Sequence, residues 1–284
     1  MTPDETWIAE TPAPTVCQQI LAHRLRSRRL ELGMKISDVA ARLRFSSSKI
    51  SRLETEERIA QVEDVHTLAG LYGFSGAETA ELVQLAIGAR QRSPFKDFHP
   101  ASPERDYLEL EVVARRVRAF DPNLVHGLLQ LPSYTSEVLH GRGILEHQRI
   151  LDSRAVRQRR LTGVSPLPIE FVVGEAALRM NTQDPTVMQD QIAHLLAVST
   201  WPNVVLQVLP SSAGPAMGRL EGFNILESGK EGLADVVYVE LLTRQLIIDE
   251  RDQVSRYEDA FQSLSKQALT SEESRDFLES IQRQ

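Results

Sequence analysis

From Val16 onward apolar residues recur at roughly helical spacing. Ile20, Leu21, Leu25, Leu30 and Leu32 form a stripe that stops at Gly33, a residue type that commonly terminates helices. Val39, Ala40 and Leu43 mark a second, short amphipathic run, and Ile50 with Leu53 a third that opens after Ser46. Val62, Val65, Leu68, Ala69 and Leu71 place a fourth helix before Gly73, and Leu82, Leu85 and Ala86 a fifth. Five short helices over residues 16–88 predict one small all-α head. Ahead of it, residues 1–15 hold three prolines and little apolar content and are expected to form a flexible tail.

Beyond the head the periodicity changes. Residues 89–106, "ARQRSPFKDFHPASPERD", mix charges with prolines and predict a linker. Helical patterns follow over Tyr107 to Phe120, Pro132 to His140, Glu146 to Leu161 and Pro185 to Thr200. Short segments rich in Val, Ile and aromatics predict strands: "PIEFVVG", "NVVLQVLP", "GFNILE", "DVVYVE" and "QLIID". The chain then returns to helix, with Asp249 a candidate cap for a stripe of Val254, Tyr257, Phe261 and Leu264, and with capping residues again at Thr270. The expected architecture is an all-α five-helix head followed by an α+β domain over residues 107–284.

Charge divides the chain in the same place. The net charge is −7, which by itself argues against a polyanionic partner. Between Leu21 and Arg52, however, nine Lys or Arg stand against two acids, leaving the remainder at −14. A basic head on an acidic body suits a protein whose head alone meets a polyanion, although solvated arginines on helices would look the same. Cys17 is the single cysteine, so no internal disulfide forms, and a small apolar packing residue is its expected role. No run of eighteen apolar residues and no secretory pattern at the amino end are present, so a cytoplasmic protein with no membrane partner is expected.

The stretch "SDVAARLRFSSSKISRLE" carries the chemistry. In a helix-turn-helix one helix braces while the next lays its amino end in the major groove of duplex DNA, where short polar and basic side chains meet base edges. Ser46 can cap the third helix, placing Ser47, Ser48 and Lys49 on its first turn, with Arg52 one turn beyond Ser48. Lysine and arginine reach guanine acceptors, serine serves several base edges or a phosphate, and a helix amino terminus attracts phosphate.

Over about fifty residues, "LRSRRLELGMKISDVAARLRFSSSKISRLETEERIAQVEDVHTLAGLYG" resembles the phage-repressor (Cro/C1, or XRE) helix-turn-helix domain. The resemblance rests on Leu32-Gly33 ending the first helix, Val39-Ala40 in the second, Ser46 opening the third and Ile50 with Leu53-Glu54 closing it. It implies groove readers at Ser47, Ser48, Lys49 and Arg52 and an internal salt bridge between Arg29 and Glu54, against a plainer alternative of two unconnected surface charges. Two positions depart from the family pattern. Arg44 stands where glycine is common, at a cost of roughly 1 kcal/mol if the residue must be left-handed. Lys35 stands where a cap is common and cannot accept a backbone N–H, so the second helix is expected to begin late or fray. Both are candidate phosphate contacts, or simply solvated charges.

"VHGLLQLPSYTSEVL", "RQRRLTG", "FVVGEAALRM", "NVVLQVLP" and "EESRDFLESI" resemble, in the same order, the carboxy-terminal domain of actinobacterial WhiJ-like, antitoxin-like transcriptional regulators, with His126 where a proline is usual. The resemblance implies a body that receives a signal or holds a small protein encoded nearby. It does not establish that body's chemistry. No metal-ligand spacing, phosphate loop or nucleophile elbow is found, so no cofactor and no enzymatic activity are expected. Glu170, Glu175 and Glu240 read as solvated acids at strand ends. Arg154, Arg157, Arg159 and Arg160 read as a solvated helix face, neutralised by Glu146 and Asp152, ahead of an oxyanion site. Trp201, Phe223 and Tyr238 read as core ahead of a ligand pocket. The combined expectation is a sequence-specific regulator binding double-stranded DNA as a homodimer, since one short helix reads only a few base pairs and two copies combine their contacts.

Overall fold

The computed structural model describes residues 14–90, 103–141, 143, 147–214, 221–228, 234–241 and 244–283. Most of the expected tail (1–13) and linker (91–102) lies outside them. The remainder departs from expectation: residues 14 and 15 already belong to the first helix, and 103–106 open another.

Among the described residues five helices build the head: α1 (Pro14–Glu31), α2 (Ile36–Leu43), α3 (Ser47–Glu54), α4 (Val62–Tyr72) and α5 (Gly76–Gly88). Their apolar faces meet in one cluster that includes Leu21, Leu25, Val39, Ile50, Leu53, Val65, Leu68, Tyr72 and Leu82. Leu30 and Leu32 were expected on the buried stripe and lie instead in solvent, 58% and 44% exposed. Helical geometry explains Leu30, and Leu32 lies past the last residue of α1. The inward face of α1 runs through Cys17, Leu21 and Leu25, four residues apart, and the next position on that row is Arg29, itself buried. Leu30 is rotated about 100° away from it. Cys17 is buried as a packing residue, and a side chain at Gly88 would put its Cβ 2.6 Å from the Cys17 Sγ.

The second unit is a six-stranded sheet with helices, so the fold is an all-helical head followed by an α+β domain. Its elements follow α6 (Pro103–Val113), whose second half, Leu108–Val113, groups with the head unit. They are β1 (Arg116–Asp121), α7 (Pro132–Gly141), α8 (His147–Gln158), β2 (Ile169–Gly174), α9 (Glu175–Leu178), α10 (Pro185–Val198), β3 (Val204–Leu209), β4 (Phe223–Glu227), β5 (Val236–Glu240), β6 (Gln245–Ile248), α11 (Arg251–Gln267) and α12 (Ser271–Gln282). Strand order is β3-β2-β1-β4-β5-β6, parallel from β3 to β1 and antiparallel from β1 to β6. The five expected strands are all present. The sixth corrects the helix expected over 107–120: it stops at Val113, and Arg116–Asp121 becomes the strand that joins the parallel and antiparallel halves. Val117 and Ala119 alternate there with arginines, a period-two pattern too short to stand out beside the helical run before it.

Three of the four arginines expected on a solvated face hold the sheet unit together instead, while Arg159 is exposed. Arg154 donates from Nη1 to the Thr135 hydroxyl at 2.7 Å and to the Gln130 side-chain carbonyl. Arg157 is buried over the Tyr107 ring, and Arg160 donates to the Ala114 carbonyl at 2.8 Å. Gln191, fully buried, accepts from Leu131 N–H and donates to the Leu129 carbonyl, both at 2.8 Å. This network clamps the "GLLQLP" segment, in which a short 3-10 turn over Gly127–Leu129 precedes α7 and the Leu129 and Gln130 carbonyls and the Leu131 N–H take side-chain partners. His126 fits the turn where proline is usual: its φ of −58° is one proline would take, and its Nδ1 accepts from Leu128 N–H at 3.3 Å.

Of the remaining acids and rings, Glu170 lies 3.6 Å from the Arg116 guanidinium, Glu240 is exposed and Trp201 is half-buried. Glu175 accepts from Ser211 N–H and pairs with Arg179, and those bonds hold its carboxyl below the usual range. Phe223 and Tyr238 are buried, Tyr238 stacked on Tyr107 with centroids 4.2 Å apart, so both serve the core. The cap expected at Asp249 falls one residue later, on Glu250, which makes no side-chain cap bond, whereas Thr270 forms the expected capping box with Glu273. At the end of β2 the chain passes so close to Pro122 that a Cβ on Gly174 would sit 2.9 Å from the Pro122 Cα and nearer still to its carbonyl oxygen. Gly174→Ala should therefore destabilise the sheet unit by about 1–3 kcal/mol, read as a lower unfolding midpoint in a denaturant titration.

Candidate nucleic-acid interface

Helix α3 has eight residues, too few to be stable alone in water, so its shape depends on what holds it. Ser46 caps the amino end by accepting from Lys49 N–H at 3.1 Å. Ile50 and Leu53 bury the inner face at 1% and 3% exposure. At the carboxy end Glu54 receives a bidentate pair from Arg29, Nε to Oε1 at 2.7 Å and Nη2 to Oε2 at 2.6 Å. Arg29 also donates from Nη1 to the Met34 carbonyl at 2.8 Å, so one guanidinium ties α1, the loop before α2, and α3. Both partners are buried, and the bond to Glu54 holds the Arg29 guanidinium above its usual value despite that burial. The expected salt bridge is thus formed, and it is structural.

Lys49 has a partner that its sequence neighbourhood does not show. Its Nζ lies 2.5 Å from Asp64 Oδ1 on α4 and 3.8 Å from the centroid of the Phe45 ring. The ammonium therefore fastens α3 to the amino end of α4. Asp64 is fifteen positions away along the chain, so only the packing of the two helices brings them together.

Arg44 takes the left-handed conformation expected of a glycine position, with φ 57° and ψ 35°, and closes α2 through its N–H to the Ala40 carbonyl. Its side chain is exposed. Lys35 does not make α2 fray. The helix starts at the next residue: Asp38 accepts the Lys35 N–H at 3.0 Å, and the Asp38 N–H goes to the Lys35 carbonyl at 3.0 Å in place of a side-chain cap.

Ser46, Ser47, Ser48 and Arg52 are exposed, as are Lys35 and Arg44. Arg52 lies back along α3, its Nε 3.3 Å from the Ser48 carbonyl. This sets a guanidinium beside the serine turn, on the helix end whose free N–H groups favour an anion. Two further exposed cations belong to the same region and were not singled out from sequence: Arg42 in the last turn of α2, and Arg58, whose N–H returns to the Arg52 carbonyl at 3.0 Å. Arg58 sits among glutamates in the chain, so only the fold of the loop brings it to the end of α3.

Residues 20–82 match a family described as a helix-turn-helix domain, and residues 104–280 match the family described as Domain of unknown function (DUF5753). The second match covers more than half of the chain. The chain belongs to the DUF5753 family. No curated protein and no solved structure matches it. In this DUF5753 protein no helix among the described residues is long and apolar enough to cross a membrane, and among those residues no three His, Cys, Asp or Glu side chains are grouped to hold a metal ion.

Breaking either tie behind α3 should be costly. Arg29→Met leaves the Glu54 carboxylate buried without its partner and should destabilise the head by about 3–5 kcal/mol, while Arg29→Met with Glu54→Met should recover much of that loss. Lys49→Met strands Asp64 and should cost about 1–3 kcal/mol. Chemical unfolding followed by circular dichroism measures both.

Proposed function

We propose that this protein is a sequence-specific DNA-binding transcriptional regulator, dimeric and cytoplasmic, and that it catalyses no reaction. The observation that carries the proposal is the asymmetry of α3: its inner face and both ends are tied into the head, while Ser47, Ser48 and Arg52 are left bare. A rigid helix with a short polar amino end is what the major groove admits. Arg52 is the strongest base reader by chemistry, and Ser47 and Ser48 serve base edges or a phosphate. Arg44 and Lys35, at the two ends of α2, take the role of phosphate contacts. Lys49 acts in this proposal through its tie to Asp64, holding the serine turn in place. It can reach the groove only by exchanging that partner for the DNA.

The sheet unit, in the same proposal, assembles the dimer and receives a partner protein or small effector. An open groove of about 340 Å³ in it, bordered by Leu124, Tyr134, Glu137, Val138 and Met180, is large enough for a small ligand. The kinship proposed is with WhiJ-like, antitoxin-like actinobacterial regulators. An antitoxin-like protein that chiefly holds a small neighbour-encoded partner, with DNA contact for autoregulation, is the second reading. It is favoured by the extent of the sheet unit, which has a core of its own and takes up most of the chain. Co-purification of that neighbour in stoichiometric amount would support it.

Mapping of DNA fragments bound across the genome should return a palindromic motif with half-sites about one helical turn, ~10 bp, apart. On that operator Arg52→Ala should weaken binding by about 1–3 kcal/mol, and Arg44→Gly should lower the dependence of log K on log salt by about 1 while stabilising the head. Absence of any enriched motif, or unchanged operator affinity for Arg52→Ala at fixed salt, would overturn the assignment.

A further inference from the structure

The two edges of the sheet are treated differently. Along the β3 edge, Val208 donates its N–H to the Ser274 hydroxyl at 2.9 Å and its carbonyl accepts from Leu269 N–H at 2.9 Å. The corner between α11 and α12 therefore occupies that edge at Val208, near the end of the strand. At the other edge, Leu241 N–H bonds the Arg244 carbonyl across the hairpin, which fixes the alternation of the β5–β6 ladder. Leu246 and Ile248 then bond inward to Val239 and Val237, and the N–H and C=O groups of Gln245 and Ile247 point outward. Among the described residues nothing pairs with them. The strand has neither proline nor charge within it, and its side chains are half-buried. An apolar open edge of this kind is a template for another strand.

We propose that the β6 edge pairs antiparallel with β6 of a second copy of this chain, joining the two sheets about a two-fold axis through Ile247. Only outward residues can bond across such an edge, so a one-residue slip is excluded. Two-residue slips remain, and charge selects among them. With Ile247 opposite its own equivalent, Gln245 faces Asp249 and Arg244 faces Glu250, giving two symmetric ion pairs of exposed side chains. The same register sets Leu246 opposite Ile248, so the apolar cluster of Phe223, Val237, Val239 and Phe261, against which both residues pack, runs on into the second copy. Shifting by two residues one way places Arg244 against Ile248, and the other way against Asp252, which already lies in α11 and cannot extend the ladder, so either shift loses both matches. The backbone supports the extra length, since Glu250 is still extended at φ −67° and ψ 118°. An isologous contact of this type closes at two copies and leaves no edge for further growth.

The inference names the interface of the dimer proposed above but is drawn from the sheet edge alone, so the two can fail separately. Light scattering on the full chain without DNA should give twice the mass of one chain. Ile247→Pro removes an outward donor and no ladder bond within the chain, and should yield folded monomer by the same measurement with an unchanged circular dichroism spectrum. Arg244→Glu should raise the dimer dissociation constant about tenfold through two like-charge contacts, and Arg244→Glu with Glu250→Arg should restore it. A monomeric wild-type chain, or variants that dimerise as tightly as wild type, would overturn the pairing. Should Ile247→Pro fail to fold, the charge exchange decides: no loss in the single variant, or no recovery in the double, overturns it. A dimer that responds as described yet binds no DNA fragment would remove the regulator assignment and leave the edge pairing intact.

Discussion

Helix α3 has two turns and no stability of its own, so the exposed serines and Arg52 are useful only if something behind them holds still. The Arg29–Glu54 pair is that support. It joins the last turn of α1 to the last turn of α3, and because Arg29 also reaches the Met34 carbonyl it sets the loop that leads into α2. A buried, bidentate ion pair adds little net stability over an apolar pair of the same size, but it is demanding about geometry. Leucines at those positions would allow α3 to slide or rotate. The fork of a guanidinium on a carboxylate does not, and near the opposite end a single contact of Lys49 with Asp64 ties α3 to α4.

The sheet unit is organised by a similar use of charge and polarity inside. Around its "GLLQLP" segment, Gln191 and Gln158 take the backbone groups of Leu129, Gln130 and Leu131, while Gln130 donates to the Val125 carbonyl and is itself held by Arg154. These are long polar side chains on helices or loops, of a kind that in isolation reads as surface. Arg118 shows the same principle on the sheet: it stands between Glu227, at 3.0 Å, and Glu258, at 2.7 Å, with little exposure. Buried charge here is paired charge, and the pairs connect β1 to β4 and to α11.

Much of this molecule was legible in the chain because its signals are local. The five head helices, the five strands rich in β-branched residues, the Ser46 cap, the Thr270 capping box and the left-handed demand on Arg44 each depend on a few neighbouring residues. β1 was missed for the complementary reason. Its alternation is brief and follows directly on a strongly helical run, and its identity as a strand is settled by β2 and β4 on either side. Leu30 and Leu32 were placed inward by hydrophobicity alone, whereas the rotation of α1 gives Leu30's place to Arg29 and the helix ends before Leu32.

The exposed set on α3 could be named from sequence because cap, spacing and composition decide which side chains a short helix presents. The destination of each charge could not. Lys49 and Arg52 have much the same chemistry on paper, yet one is captured by Asp64 and Phe45 while the other lies along its own helix. Arg154 and Arg157 read as solvated and are built into the interior. Pattern and propensity act over one or two turns, so the sequence alone determined the elements, their caps and the helix that faces outward. Ion pairs and burial act across space between segments distant in the chain, and only the tertiary structure decided which cations brace the fold, which are exposed, and which sheet edge has no partner among the described residues.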